Sequence, residues 1–301
     1  MCDTLVALPA ATAGGATLFA KNSDRPPDEA QMVLWSPPRR DPGLLRVTHI
    51  EVEPTSSDTF GCLLSKPTWC WGAEHGVNEA GVAIGNEAIY TTLDPRSARA
   101  ALMGLDLVRL GLERAADAAD AVAVITGLLE RYGQGGTGHD PAGCTGPKAY
   151  WNSFLVADPR TAYVIETSGR EYAVEQVEPG GVRAISNRTT IAAFDAQHRH
   201  PRQPVERLVD PRLQASQRVL AQRPVTRDSL MAHLRSHDSC AEPGWSVCMH
   251  GRDIDGVLVE VTTASMVAEL PADGRPPRVW WLVGSPCEVD YVEQVISATG
   301  R

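Results

Sequence analysis

The sequence predicts an α+β protein in which sheets and helices separate into layers. Three observations carry that expectation: a β-prone start that doubles back on itself, a central stretch with helical periodicity, and a long series of short β-type runs divided by turn signals. The regular βαβα alternation of a parallel fold is not seen. With 301 residues, 43% of them hydrophobic, the chain has ample material for a packed core.

Residues 3–8, DTLVAL, are β-prone, and ATLFAKN after the AGG turn reads as a returning strand, so the two predict a hairpin. PPRRDP is a loop, and LLRVTHIEVE (44–53) alternates as a strand does. Residues 97–133 repeat their apolar positions at helical spacing and predict two helices broken near AADAAD. A glycine-rich loop follows, with a GxGxxG match at Gly133, Gly135 and Gly138. It comes after a helix and leads into a proline-containing loop, whereas a dinucleotide site needs a strand before it and a helix after, so the match is read as chance. NSFLVADPRTAYVIETSGREYAVEQV (152–177) predicts an antiparallel meander. DPRLQASQRVLAQR and TRDSLMAHLRS predict helices; SVCMH, GVLVEVTTASMVAEL and RVWWLVG predict strands. No repeat or flexible linker divides the chain, which is expected to form a single domain over 1–301.

The net charge of −9 argues against a broad basic surface for nucleic acid. No stretch approaches the roughly 20 apolar residues that span a bilayer, and the start lacks the basic region of a signal peptide. A cytoplasmic protein with no membrane partner is expected, and association into a homo-oligomer is left open. The 7 cysteines (Cys2, Cys62, Cys70, Cys144, Cys240, Cys248 and Cys287) are odd in number and irregular in spacing, which is not a disulfide framework. Cys240, Cys248, His237 and His250 lie close in sequence, but without CxxC or HExxH spacing, so no metal and no cofactor is expected.

The cysteine at position 2 stands directly behind the initiator methionine. Removal of Met1 would leave one residue carrying both a thiol and a free α-amine. A thiol attacks only as thiolate, and its ordinary pKa is about 8.5. An α-amine, at about 7.7–8.0, is a base far better matched to neutrality than a lysine. Cys2 would therefore carry its own base beside its nucleophile.

The stretches MCDTLVAL, LFAKNSDRPPDEAQ, WGAEHGVNEAGVAIGNEAIYTT, NSFLVADP, ISNRTTI and TTASMVAELP occur in the order seen in the secernins and the family C69 dipeptidases, which this chain resembles over most of its length. The resemblance implies a four-layer αββα N-terminal nucleophile hydrolase sandwich with two antiparallel sheets. More distantly, the chain is similar to the bile-salt hydrolase and penicillin V acylase group. That likeness implies Cys2 as nucleophile, Asp24 beside its amine, Asn187 at the oxyanion site and Arg218 as a second-half arginine. Where that group has arginine before N-x-D, this chain has Lys21, a flexible point charge without arginine's fork.

The chemistry asks for such partners. A carboxylate such as Asp24 would orient the amine but also raise its pKa, which Lys21 or Arg218 would offset. The oxyanion needs fixed donors; the Asn187 amide is one candidate and a backbone N–H near Asn86 a second. Glu74, Glu79 and Glu87 cluster in sequence, and a carboxylate among them, Glu74 or Glu87 foremost, could hold the free amino group of a small peptide. Trp69, Trp71 and Trp151 are expected in the core. The function expected is amide hydrolysis of dipeptide type, on a small peptide or N-acyl amide. Acyl transfer, or a non-hydrolytic secernin-like binding protein on the same fold, stays open.

Overall fold

The computed structural model describes residues 1–40, 43–55, 58–142, 148–238, 242–253 and 255–297. Cys144 and Cys240 lie outside them.

The predicted hairpin forms: β1 (Cys2–Ala7) runs antiparallel to β2 (Thr17–Arg25), with Cys2 opposite Ser23 and Thr4 opposite Lys21. β3 (Gln31–Ser36) follows. The run expected as one strand over 44–53 is instead a short hairpin, β4 (Leu45–Arg46) and β5 (Glu51–Val52). Its alternation is interrupted because Val47 N–H closes a turn onto Ile50 O and the Thr48 hydroxyl is held by Asp106. Three strands without individual sequence signals come next: β6 (Cys62–Pro67), β7 (His75–Asn78) and β8 (Ala83–Ile89).

The helical pair is α1 (Gly104–Arg114) and α2 (Ala118–Tyr132), broken at the expected place. Ala115 leaves the helical conformation, and the Asp117 side chain accepts from Asp120 N–H at 2.8 Å to cap the new helix. Gly133, at φ 72°, ends it in a conformation that other residues rarely adopt. The meander forms as β9 (Trp151–Ala157), β10 (Ala162–Ser168) and β11 (Glu171–Gln176), after which β12 (Val182–Ile185) crosses to pair with β1. Asp158 takes the Arg160 and Thr161 N–H groups in the β9–β10 turn, as the DPR signal implied.

Two short helices that the patterning did not indicate, α3 (Ala192–His198) and α4 (Val205–Leu208), precede the expected α5 (Asp210–Ala221) and α6 (Arg227–Leu234). The chain closes with β13 (His250–Arg252), β14 (Leu258–Leu270), β15 (Arg278–Val283) and β16 (Val292–Val295). SVCMH is a strand only from His250 onward. Its earlier polar groups go elsewhere: Val247 O to Asn22, Cys248 N–H to Ser236 O, and Met249 N–H to the Thr262 hydroxyl.

Two antiparallel sheets result. One runs β12-β1-β2-β14-β15-β16 with β13 beside β14; the other runs β11-β10-β9-β8-β7-β6-β3. They pack face to face, β1 against β8 and β9, with α1 and α2 outside the second sheet and α5 and α6 outside the first. The period of two along β1 shows how a six-residue hairpin arm can be buried on both faces. Val6 joins the apolar layer between the sheets with Phe19 and Leu155, while Leu5 and Ala7 join the layer under α5 and α6 with Ala20 and Leu230. Ile84 and Phe154 face the third apolar layer, under α1 and α2. The architecture is the α+β, αββα arrangement expected. Among the described residues no helix is long and apolar enough to cross a membrane.

Asn22, fully buried on β2, donates through Nδ2 to Leu234 O and Val247 O, both at 2.8 Å, and so ties α6 and the 246–249 segment to the first sheet. Asn22→Ala would remove both of these buried hydrogen bonds. The expected cost is about 1–3 kcal/mol, read as a lower urea midpoint with an unchanged slope.

Candidate active site

β1 begins and β2 ends at the same end of the sandwich, which brings Cys2 and Asp24 together. Thr4 and Val6 face the second sheet, so Cys2 shares that face and looks toward β8. It lies 8% exposed at the floor of a small cavity, about 30 Å³, that is also lined by Met1, Asp24, Glu74, Asn86, Tyr150 and Glu260.

The backbone nitrogen of Cys2 is held by a side chain. Its N–H donates to Asn187 Oδ1 at 2.7 Å, and Asn187 Nδ2 donates to Ala88 O at 2.9 Å, which links the turn after β12 to β8 of the opposite sheet. Asp3 points the other way, into the layer beneath α5. There the fully buried Arg212 donates to Asp3 Oδ2 at 2.6 Å, to Cys2 O at 3.3 Å and to Asn187 Oδ1 at 2.9 Å. Asp24 Oδ1 accepts the Thr262 hydroxyl at 2.7 Å, while its Oδ2 is buried without a protein partner. The Met1 ammonium sits against the Glu260 carboxylate and 3.4 Å from Asp24 O.

Lys21 lies between the sheets below Cys2. Its Nζ donates to Asn86 O at 2.7 Å and pairs with Glu87 Oε1 at 3.2 Å. Gly85 makes room for it, since a Cβ there would stand 2.5 Å from Lys21 Cδ. On the far wall Arg25 grips Glu29 with two hydrogen bonds of 2.7 Å, approaches Glu74 at 3.4 Å and donates to Gly138 O at 2.7 Å. Gly138 packs against Tyr150, where a Cβ would fall 2.3 Å from the ring.

Burial dominates the electrostatics. It pushes the Cys2 thiol up to about 11, against the pull of Lys21 and the N-terminal ammonium, so with Met1 in place the sulfur holds its proton at neutral pH. Burial also lifts Asp24 to about 7, partly offset by the ammonium and Arg212. Glu74 is raised by the same cause, with Arg25 and Lys21 opposing. For Lys21 burial works against the charge, but Cys2 and Glu87 outweigh it and the amine stays protonated. The Met1 ammonium is likewise held charged, with Glu260 overcoming the cost of burial.

The structure brings together Cys2, Asp24, Asn187, Lys21, Glu74 and Asn86 from the residues singled out in the sequence. Several expectations are corrected. Arg218 is exposed. The buried stripe of α5 is Arg212, Leu213, Ser216 and Leu220, so helical periodicity turns position 212 inward and 218 outward. Glu87 does not line the cavity. It is fully buried on the face of β8 turned to the first sheet, where it serves Lys21 and the Thr4 hydroxyl. The Asn86 N–H is spent on Glu74 O at 3.2 Å and is no free oxyanion donor. Glu79 lies elsewhere, accepting from Gly61 N–H. Of the tryptophans, Trp151 is core, Trp71 stacks under Arg109 at 4.1 Å, and Trp69 donates to Glu29.

Arg25, Tyr150, Glu260, Thr262 and Arg212 were not singled out from the sequence. Arg25 ends β2 beside Asp24 and Arg212 lies in the first turn of α5, but nothing local marks either as buried. A larger cleft of about 760 Å³ lies near Glu79, Asp158 and Pro277, and it contains neither cysteine nor histidine.

No family model matches the chain. Solved structures do. The whole chain superimposes on 93% of a cysteine-to-alanine mutant of conjugated bile acid hydrolase from Clostridium perfringens, at 12% identity and a TM-score of 0.59. An arginine variant of the same enzyme matches 99% of this chain and 93% of its own, at 12% identity and a TM-score of 0.56. A Caenorhabditis elegans N-acylethanolamine-hydrolyzing acid amidase ortholog gives a weaker likeness, with a TM-score of 0.48 over 88% of this chain and 92% of its own at 12% identity. The chain shares its fold with conjugated bile acid hydrolase.

Removing one partner of the buried Arg212–Asp3 pair leaves an uncompensated charge. Arg212→Met should cost about 3–5 kcal/mol and lower the urea midpoint, whereas Arg218→Ala should leave that midpoint unchanged. Asp24 gives a pH signature in the chain that keeps Met1. Its native pKa of about 7 exceeds the ordinary 3.8, so between those values the native state holds a proton that the unfolded chain has lost. Stability from this group is full below pH 3.8 and falls as pH rises toward 7. Across that window the melting temperature of Asp24→Asn should rise relative to the parent; a constant difference from pH 4 to pH 8 would contradict a carboxyl whose pKa is raised by burial.

Proposed function

We propose that the chain is an amide hydrolase of dipeptidase type whose nucleophile is Cys2, made N-terminal by removal of Met1. The observation that carries this reading is a held Cys2 nitrogen with a free carboxylate acceptor lining the same cavity. Asn187 Oδ1 already takes the Cys2 N–H at 2.7 Å, and the neighbouring Asp24 has a buried carboxylate oxygen without a protein partner. A freed α-amine carries two additional hydrogens, and Asp24 is the acceptor suited to them.

The amine then takes the thiol proton, and the sulfur attacks the carbonyl carbon of the bound amide. The second Asn187 amide hydrogen stands ready as a donor to the oxyanion. As the C–N bond breaks, the α-ammonium returns a proton to the leaving nitrogen and a thioester remains. Water gives its proton to the amine, adds to the thioester carbon and expels the thiolate, which releases the acid. Lys21 sits where it favours thiolate throughout.

A small substrate with a free amino group is supported by the carboxylates of the cavity. Met1 itself is an amino-acid residue whose ammonium rests against Glu260, with Glu74 nearby. A dipeptide could present its amine in the same way. An N-acylated amide has no such charge, so the two substrate types are separable.

The test combines mass and turnover. Intact mass of the active protein should show loss of Met1, and a dipeptide panel should be cleaved. Cys2→Ala should fall to background, with Cys2→Ser retaining a trace. Glu260→Gln should raise KM for free dipeptides about tenfold or more and leave N-acylated substrates unaffected. Full activity in protein that keeps Met1 would rule out the proposed nucleophile. Cleavage of acyl amides alone would redirect the substrate assignment. A stable Cys2 acyl adduct with no turnover would favour a binding protein.

A further inference from the structure

On the outer side of the first sheet, three separate segments bring four nitrogen and sulfur ligands together. His237 lies just after α6, Cys248 and His250 lie at the entry to β13, and Cys287 lies in the turn after β15. One ligand atom from each falls within 4.8 Å of all the others. His250 Nε2 stands 3.6 Å from Cys248 Sγ and 3.3 Å from Cys287 Sγ, and the two imidazole rings meet edge to face at 5.2 Å.

We propose that His237, Cys248, His250 and Cys287 form a closed, tetrahedral Zn²⁺ site. The ligand set is the Cys2His2 type that zinc favours among structural sites. With Zn–S near 2.3 Å and Zn–N near 2.0–2.1 Å, a tetrahedron has S···N edges of about 3.6 Å, and the two measured edges lie at and just inside that length. Two thiolates and two neutral imidazoles balance the dication, each thiol giving its proton to solvent on binding. All four positions are filled by protein, so the site has a structural role with no open coordination position. The sequence pattern concealed it because Cys287 is remote in sequence from the other three.

The site has a reason to exist where it does. The Cys248 N–H bonds Ser236 O, and Met249 exchanges hydrogen bonds with Thr262 through both its N–H and its carbonyl. From the other side Ser285 Oγ donates to Thr262 O at 3.1 Å, and Gly284 N–H to Thr263 O at 2.7 Å. Thr262 in turn bonds Asp24 at 2.7 Å. A metal joining Cys248 to Cys287 would staple together the two segments that clamp Thr262.

The experiment uses the full-length Cys2→Ala protein, so that the nucleophilic thiol contributes nothing. Purified without chelator, it should carry about one zinc per chain by plasma mass spectrometry. After metal removal under reducing conditions, Co²⁺ should give the intense absorption of tetrahedral cobalt–thiolate coordination, and Zn²⁺ should abolish it. Cys287→Ser removes an exposed side chain, and its folding can be checked by circular dichroism. It should weaken Zn²⁺ binding at least about 100-fold, since even outer-shell changes cost 10–100-fold. His237→Ala, also exposed, should do the same. No zinc and no cobalt–thiolate absorption in the reduced protein would overturn the proposal. Undiminished absorption in both variants would do so as well, and so would a Cys248–Cys287 disulfide that forms in place of metal binding when Zn²⁺ is in excess.

Discussion

The position of the N-terminus depends on one oxygen atom. Asn187 Oδ1 accepts the Cys2 N–H and the Arg212 guanidinium together, while the same side chain reaches across to Ala88 with its nitrogen. An unanchored chain terminus frays. Here it is the first strand of an inner sheet, and its first peptide nitrogen is fixed by a side chain that touches both sheets. Arg212 completes the clamp from the helical layer by neutralising Asp3 and donating to Cys2 O, so three layers of the sandwich meet at the residue carrying the thiol.

A second constraint follows from placing charge between two sheets. Lys21, Glu87 and Thr4 form a fully buried polar cluster beside the apolar layer that holds Val6, Phe19 and Leu155. Such a cluster is costly unless every member is paired. Lys21 satisfies itself on the Asn86 carbonyl and the Glu87 carboxylate, and Gly85 leaves it the volume to do so. The Lys21 ammonium stands under Cys2 and opposes the upward shift that burial imposes on the thiol.

The walls of the cavity show a division of labour along single strands. On β2, Lys21 and Ser23 turn inward, Asn22 turns out to α6, and Asp24 meets β14 through Thr262. On β8, Glu87 faces the first sheet while Asn86 and Ala88 line the opening beside Cys2. Adjacent residues in the sequence thus serve opposite layers, which is why a cluster of glutamates in one stretch resolves into a cavity wall, a lysine partner and a remote turn.

The hairpin, the helical pair and the meander were legible because each rests on local physics: turn residues, periodicity and strand propensity within a dozen positions. So was Cys2, since its place behind Met1 is a fact of order alone, and Asp24, because a hairpin must return the chain to its start. The strands β6 to β8 were not, because they are buried on both faces and lose the alternation that marks a half-exposed strand. Arg212 rather than Arg218, the inward pairing of Glu87 and the meeting of Cys287 with His237, Cys248 and His250 were decided by the tertiary structure. Each depends on which face of an element meets which neighbour across tens or hundreds of residues, and sequence spacing carries no information about that distance.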